Sequence, residues 1–319
     1  MSDITQTPES AAPAYRHIAS GRMFQFGLLA AFITTCIWAG WLVSVKMGAQ
    51  SALTTFDLAL MRYVIPALVL FPFLYRSRQM LLRVPKWTLV GIVLGAGVPF
   101  FFLSSAGMQY APVSHAGLLI PGTFPLFVTA IAVIVFKEPL SRPRFLGLVA
   151  IMIGILALLL ISMWSLDSDV WKGDLLFISA SFFWAVYTIC LRVAGLPPLA
   201  ATGLLGSVST CILLVLLATG VVSSGMSLVS ANELAWQFFV QSMLVGLFTG
   251  FSYGYAINAL GAERTAAMGA LTPVLASLLA IPLLHESIGL AAIFGLCFVC
   301  VGVVFASGVV KSLGKKHHV

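Results

Sequence analysis

The sequence predicts an all-α integral membrane protein, with ten transmembrane helices arranged as two inverted five-helix repeats. Three observations carry that expectation. The chain has 319 residues, 60% hydrophobic and only 8% charged, where an ordinary soluble domain carries about 25% charged residues. So small a polar fraction cannot cover a globule in water, whereas lipid requires none. Apolar runs of span length follow one another along nearly the whole chain, with Lys and Arg gathered in alternate connections. The order of Trp, Gly, Pro and Glu in the first half also returns in the second.

A hydrocarbon core about 30 Å thick needs roughly 20 apolar residues per helix. Residues 1–22 are polar, with Pro8, Pro13 and two acids, and read as a cytoplasmic tail with no cleavable signal peptide. The first span, 23–45, carries Trp38 and Trp41 and stops at Lys46. The second, 56–75, holds Arg62, the one Lys or Arg that falls within a span and not at its ends. Spans 87–108 and 114–136 are separated by so few residues that they must be adjacent antiparallel helices. Span 144–163 closes the first repeat, taken as 23–165. The second repeat, 166–310, contains spans 174–193, 200–219, 236–260, 264–284 and 289–309, and residues 311–319 form a basic cytoplasmic tail. The Ser-rich stretch 220–235 is the longest connection.

With the N-terminus placed inside, 14 Lys and Arg fall on the cytoplasmic side, against only Lys46 and Lys172 outside. An error in the number of spans would scramble that alternation, so the split supports both the count and cytoplasmic termini. It also explains the net charge of +7 as a marker of orientation. The basic residues form no basic-aromatic face, so no nucleic-acid partner is expected.

Displaced by 146 residues, Gly27 falls on Gly173, Trp38-Ala39 on Trp184-Ala185 and Lys46 on Arg192. Displaced by 148, Pro125 falls on Pro273, Glu138 on Glu286, Gly147 on Gly295 and Gly154 on Gly302. Five helices are an odd number, so the second repeat enters the membrane from the opposite face. Inverted repeats permit alternating access around a site near mid-membrane, between the halves.

Polar and aromatic residues near the middle of the spans are therefore the candidates for a substrate cavity. Pro121, Thr123 and Pro125 in the fourth span correspond to Thr272 and Pro273 in the ninth. A proline inside a helix removes a backbone donor, and the freed carbonyl needs protein or a wet cavity. Such a break serves either a cavity or packing alone. Trp38 and Trp41, like Trp184 and Tyr187, are spaced i,i+3 and share a helix face. Phe100, Phe101, Tyr253, Tyr255 and Asn258 join them on weaker grounds, whereas Trp87, Trp171 and Trp236 flank spans as interfacial anchors do. Arg62 either binds a substrate carboxylate or snorkels outward as a structural residue. His115 is a candidate for proton coupling or a plain boundary residue. Glu138 and Glu286 close corresponding helices and read as caps or gate contacts. The matched glycines read as packing ridges. The five cysteines lie in apolar runs and read as small core residues, with no metal or other cofactor expected.

Gly173-Asp174-Leu175-Leu176 followed by Phe183-Trp184-Ala185-Val186-Tyr187 resembles the entry helix of an EamA-type half. Leu271-Thr272-Pro273 running to Leu284-His285-Glu286 resembles its fourth helix, as does Phe136-Lys137-Glu138-Pro139-Leu140 in the first half. With Arg62, the chain resembles the drug/metabolite transporter superfamily from about residue 23 to 309. That resemblance implies a bundle whose cavity is lined by the first, third, fourth, sixth, eighth and ninth helices. It implies a bacterial inner-membrane carrier of small organic solutes, with the aromatic amino acid exporters as the nearest suggestion. His285 stands where glycine is common, and Pro121 is an extra proline; both leave substrate identity open.

The expected function is export of an amino acid or related metabolite by a secondary carrier, without a cofactor. A monomer suffices, although a homodimer is compatible. An uptake or exchange carrier for a sugar, nucleotide or cofactor is the alternative, disfavoured for phosphorylated substrates by the single deep cation. A membrane enzyme is more remote, since the chain has no H-E-x-x-H, no G-x-S-x-G and no intramembrane Asp pair. No phosphate-binding loop suggests direct use of ATP, and facilitated diffusion and proton antiport both remain compatible.

Overall fold

The computed structural model describes residues 21–164, 169–260, 265, 268–269 and 271–306. Ten apolar helices account for nearly all of them: α1 (Gly21–Ala49), α2 (Thr55–Arg76), α3 (Lys86–Tyr110), α4 (Val113–Phe136), α5 (Arg142–Trp164), α6 (Val170–Ala194), α7 (Pro198–Ala218), α8 (three consecutive stretches, Ala231–Phe238, Phe239–Phe248 and Thr249–Leu260), α9 (Thr272–Leu284) and α10 (Leu290–Ala306). A short helix, Arg78–Arg83, links α2 to α3. No strand occurs among the described residues. The first eight are long and apolar enough to cross a membrane by themselves, and α9 and α10 are shorter in their described parts. Gly21 and Arg22 are already helical, so the expected tail ends sooner than residue 22; residues 1–20, 307–319 and Arg264 lie outside the described residues.

Local chemistry explains where the helices begin and end. Thr54 and Asp57 form a reciprocal capping box that opens α2. The ends of α4 and α9 repeat each other: Lys137 and His285 both take left-handed backbone, with φ 56° and 55°. In each, the next residue's N–H reaches back six positions, Glu138 to the Ala132 carbonyl and Glu286 to that of Ala280. The offset of 148 that marks the sequence repeat is thus also an offset in backbone conformation.

Packing follows the same symmetry. α5 lies against α10 and α2 against α7, each helix meeting its own counterpart. α3 packs on α6 while its counterpart α8 packs on α1, and the contact of α4 with α6 is mirrored by that of α9 with α1. The α5–α10 seam is made by the four matched glycines, paired crosswise. A Cβ at Gly302 would fall 2.6 Å from the Gly147 carbonyl oxygen, and one at Gly154 would fall 3.0 Å from that of Gly295. These glycine faces therefore pack within one chain.

The exterior is apolar, with Leu68, Ile134, Leu146 and Val215 among many exposed aliphatic side chains. Only hydrocarbon can cover such a surface without cost, and every backbone group beneath it must be satisfied internally. Cys211 and Cys297 belong to this exterior, contrary to the expectation that the cysteines fill the core.

Two counterpart helices depart from regular α winding. α3 is interrupted at Gly97, between Lys86–Ala96 and Val98–Tyr110, with Pro99 at the start of the second piece. α8 is π-wound over Phe239–Phe248. The proline pair expected to break helices behaves unequally. α4 continues through Pro121 and Pro125, whereas the described part of α9 starts afresh at Thr272-Pro273.

Candidate functional site

The middle of the bundle holds two runs of rings that both start on α1, one at Trp38 and one at Trp41. Tyr253 of α8 lies 5.2 Å from Trp38 of α1. Trp41 of α1 stacks 6.1 Å from Phe100 of α3, which lies 4.9 Å from Trp184 of α6, and Tyr187 follows at 5.5 Å. Of the two i,i+3 pairs, Trp41 thus reaches Trp184 and Tyr187 through Phe100 of α3, whereas Trp38 faces α8. Trp38, Trp184, Tyr187 and Tyr253 keep accessible surface, although Tyr187 and Tyr253 sit deep among protein atoms.

Arg62 belongs to the same group: it is deep in the bundle and keeps only part of its surface accessible. It does not snorkel. Its guanidinium lies 5.0 Å from the centre of the Trp41 ring and 6.0 Å from that of Tyr63. Among the described residues no carboxylate forms an ion pair with it, and its Nη1 is buried without a protein acceptor. A cation over a ring recovers about 0.5–2 kcal/mol. Taking an ion out of water costs several kcal/mol even after relaxation; the Trp41 ring and a side-chain hydrogen bond with Tyr63 offset part of that, and Nη1 is left without an acceptor.

The surroundings hold Arg62 in place through deviations from helix geometry. Pro66 has no N–H, which leaves the Arg62 carbonyl without its usual helical donor. Gly246 of the π-wound stretch packs there, since a Cβ on it would lie 3.1 Å from the Arg62 carbonyl oxygen and 2.6 Å from Pro66 Cγ. Ser242 donates its hydroxyl to the Met61 carbonyl, one residue earlier. Tyr63 donates to the Ala96 carbonyl at 2.7 Å, beside the interruption of α3. Irregular α3 and irregular α8 thus meet α2 at the residues flanking Arg62.

α1 and α8 are joined by a polar ladder. Gln237 accepts from the Ser44 hydroxyl at 2.7 Å and donates to the Ser44 carbonyl at 2.9 Å. Four residues on, Gln241 accepts from Trp41 Nε1 at 3.0 Å, and its Nε2 is buried without an acceptor. Below them the Thr34 and Ser252 hydroxyls lie 2.7 Å apart.

Several candidates serve as support in this conformation. Phe101 has no exposed surface and packs between Trp41 and Tyr63. Thr123 is buried and returns its hydroxyl to the Leu119 carbonyl at 2.7 Å. Thr272 is buried, and its hydroxyl has no partner. Pro121 is partly exposed. Tyr255 faces outward. The Asn258 side chain lies outside the described residues. Tyr63, Gln237 and Gln241 did not stand out in the sequence, although two glutamines four apart within an apolar run are the signal that marks them.

Charged residues gather at the two ends. At one end Lys46 donates to the Met108 and Ala111 carbonyls at 2.6 and 3.0 Å, where a cation meets the negative end of α3. Glu286 accepts the Val113 N–H at 2.9 Å and caps α4. Burial pushes the Glu286 carboxyl above the ordinary carboxylate range, opposed by that N–H and by Lys46 and His115 nearby. His115 Nδ1 lies 2.7 Å from Asp174 Oδ1 on α6, and Asp174 is wholly buried. At the other end Arg192 and Glu138 form an ion pair of 2.8 Å that remains in contact with solvent. Lys46 and Arg192, and Glu286 and Glu138, are repeat counterparts, but the bonds at one end are partly buried and the pair at the other is exposed.

Such a bundle, with an aromatic interior and a repeat-related set of charges at each end, is the architecture of a membrane carrier. The EamA-like transporter family model matches the chain twice, over residues 25–160 and 171–308, and the chain belongs to that family. Among curated proteins it is similar to the uncharacterized transporter YyaM of Bacillus subtilis (strain 168), 28% identical over 69% of this chain and 73% of that protein. It is also similar to the uncharacterized transporter YoaV of the same organism, 22% identical over 86% of this chain and 94% of that one. A crystal structure of a protein 18% identical in sequence superposes with a TM-score of 0.57, covering 92% of this chain and 99% of the other. The likeness to that structure concerns the fold alone. The molecule is thus a multi-pass membrane transporter.

Proposed function

We propose that this transporter exports small organic metabolites, amino acids foremost, across the bacterial inner membrane by alternating access. The repeats 23–165 and 166–310 are the two bodies that exchange conformations, with both termini in the cytoplasm. The observation that carries the reading is the run of rings from Tyr253 through Trp38, and from Trp41 through Phe100 and Trp184 to Tyr187. It offers an apolar bed for a side chain at the interface of the halves, beside a lone deep cation. One cation suits a substrate of small charge better than a phosphorylated one. In this reading Trp38, Trp184, Tyr187 and Tyr253 contact the substrate, Trp41 and Phe101 support them, and Pro121, Thr123 and Thr272 shape the moving helices.

Proteoliposomes loaded with radiolabelled amino acids test it, with and without a pH gradient. Saturable flux of at least one amino acid is expected, reduced by Trp184→Ala or Trp38→Ala. Absence of flux for every amino acid, with folded protein in the vesicles, rules out this substrate class.

A further inference from the structure

We infer that Arg62 and Gln241, both in contact with Trp41, form a subsite for the carboxylate of a substrate whose apolar part lies on the neighbouring rings. The inference rests on the transport reading above and assigns the chemical group that the cavity recognises.

Two buried nitrogen donors in this region have no protein acceptor, Arg62 Nη1 and Gln241 Nε2. Both residues touch the same ring, Arg62 over its face and Gln241 at its Nε1. The orientation of the Gln241 amide is fixed by chemistry, since an indole N–H only donates and must meet the amide oxygen. Its NH2 group is thereby turned away from Trp41 and left to another acceptor. Gln237 shows that the α1–α8 interface can satisfy a glutamine fully, because Ser44 supplies both a donor and an acceptor to it. No such second partner is provided to Gln241.

The backbone is irregular where these donors are held. Gln241 lies in the π-wound stretch of α8, and Arg62 opens the turn disrupted by Pro66. Single-turn π segments recur at functional sites because they re-aim side chains within a helix. Here the stretch is bonded to α2 by the Ser242 hydroxyl on the Met61 carbonyl, and Gly246 lets the two backbones approach closely beside the Arg62 carbonyl.

Guanidinium and amide N–H groups are donors only, so their missing partner is an acceptor, and the permanent charge of Arg62 makes it an anion. No second cation is paired with the site among the described contacts, which favours a singly charged carboxylate over a phosphate. Trp184, which keeps accessible surface and is backed onto Trp41 by buried Phe100, suits an aromatic or branched aliphatic remainder.

The test is equilibrium binding to purified full-length protein in detergent, read as a saturable change in tryptophan fluorescence. Four probes share one phenyl group: 3-phenylpropionate, L-phenylalanine, L-phenylalaninamide and phenethylamine. The carboxylate probes are expected to bind roughly tenfold or more tightly than the amide and the amine, as loss of a charge-assisted contact implies. Arg62→Gln and Gln241→Leu are each expected to weaken 3-phenylpropionate while leaving phenethylamine unchanged. The comparison of probes on the wild-type protein holds even if a variant does not fold. Equal or tighter binding of phenethylamine overturns the subsite, as does absence of binding by either carboxylate probe. Carboxylate binding without flux in vesicles would remove the transport reading and keep the subsite. Flux and 3-phenylpropionate binding unaffected by Arg62→Gln would do the reverse.

Discussion

Glu286, just past the end of α9, accepts the backbone N–H of Val113 at the first turn of α4. The end of a helix in one repeat is therefore the cap of the corresponding helix in the other. The bond joins the two halves through counterpart helices.

Glu286 should give this end of the molecule a pH dependence of definite sign. Burial raises its folded pKa above the unfolded value of about 4.3. The folded state then binds more protons than the unfolded state in the window just above that value, so this group's contribution to stability falls as pH rises through the window. Glu286→Gln keeps an acceptor for Val113 and should abolish that slope. Glu286→Ala loses the cap and should cost about 1 kcal/mol. Thermal melting in detergent from acid to neutral pH distinguishes the two. An unchanged slope in Glu286→Gln would exclude the assignment.

Arg192 and Glu138, the counterparts at the other end, should matter much less to stability. The pair is exposed, and exposed ion pairs contribute about 0–1 kcal/mol. Arg192→Ala is expected to leave the melting temperature within a degree or two of wild type. A large loss would mean that this end is held by the pair.

His285 adopts a left-handed conformation that glycine occupies without a Cβ clash. His285→Gly should therefore raise stability by up to about 1 kcal/mol, measured by thermal unfolding. A loss of stability would show that the imidazole makes contacts worth more than the backbone cost.

Gly302 should tolerate nothing larger. Even the Cβ of Gly302→Ala would crowd the Gly147 carbonyl and the Ile151 backbone nitrogen, at 2.6 and 2.9 Å. Gly302→Leu is expected to reduce folded yield severely, whereas the same change at Gly254, where a Cβ meets nothing within 4 Å, should be mild. Size-exclusion profiles of the two variants make the comparison. Equal behaviour would argue against a tight α5–α10 seam.

Asp57 should be the most costly carboxylate to remove. Its two oxygens accept from the Thr54 N–H, the Ser224 hydroxyl and the Gly225 N–H, joining the start of α2 to the longest connection. Asp57→Ala leaves those donors unsatisfied and should destabilise by about 2–4 kcal/mol. Unfolding in detergent measures the loss, and a variant within about 1 kcal/mol of wild type would refute the anchor.

The sequence by itself determined the class, the ten helices and the repeat. Hydropathy and charge are local properties, and lipid leaves the chain few alternatives once a run is long and apolar. Glu138 and Glu286 were legible as matched helix ends, since helix termination depends on a few adjacent residues; the left-handed turns at Lys137 and His285 came from the structure. Tertiary structure decided which polar groups meet. Trp41 and Gln241 are 200 residues apart, and their bond depends on a π-wound turn that no periodicity announces. The inward course of Arg62, left open by the sequence, follows from Pro66, Gly246 and the ring of Trp41. The glycine ridges of α5 and α10 could have faced another chain; their crosswise fit places them within one. Such outcomes depend on how helices cross, and crossing geometry is set by contacts between residues far apart in the chain.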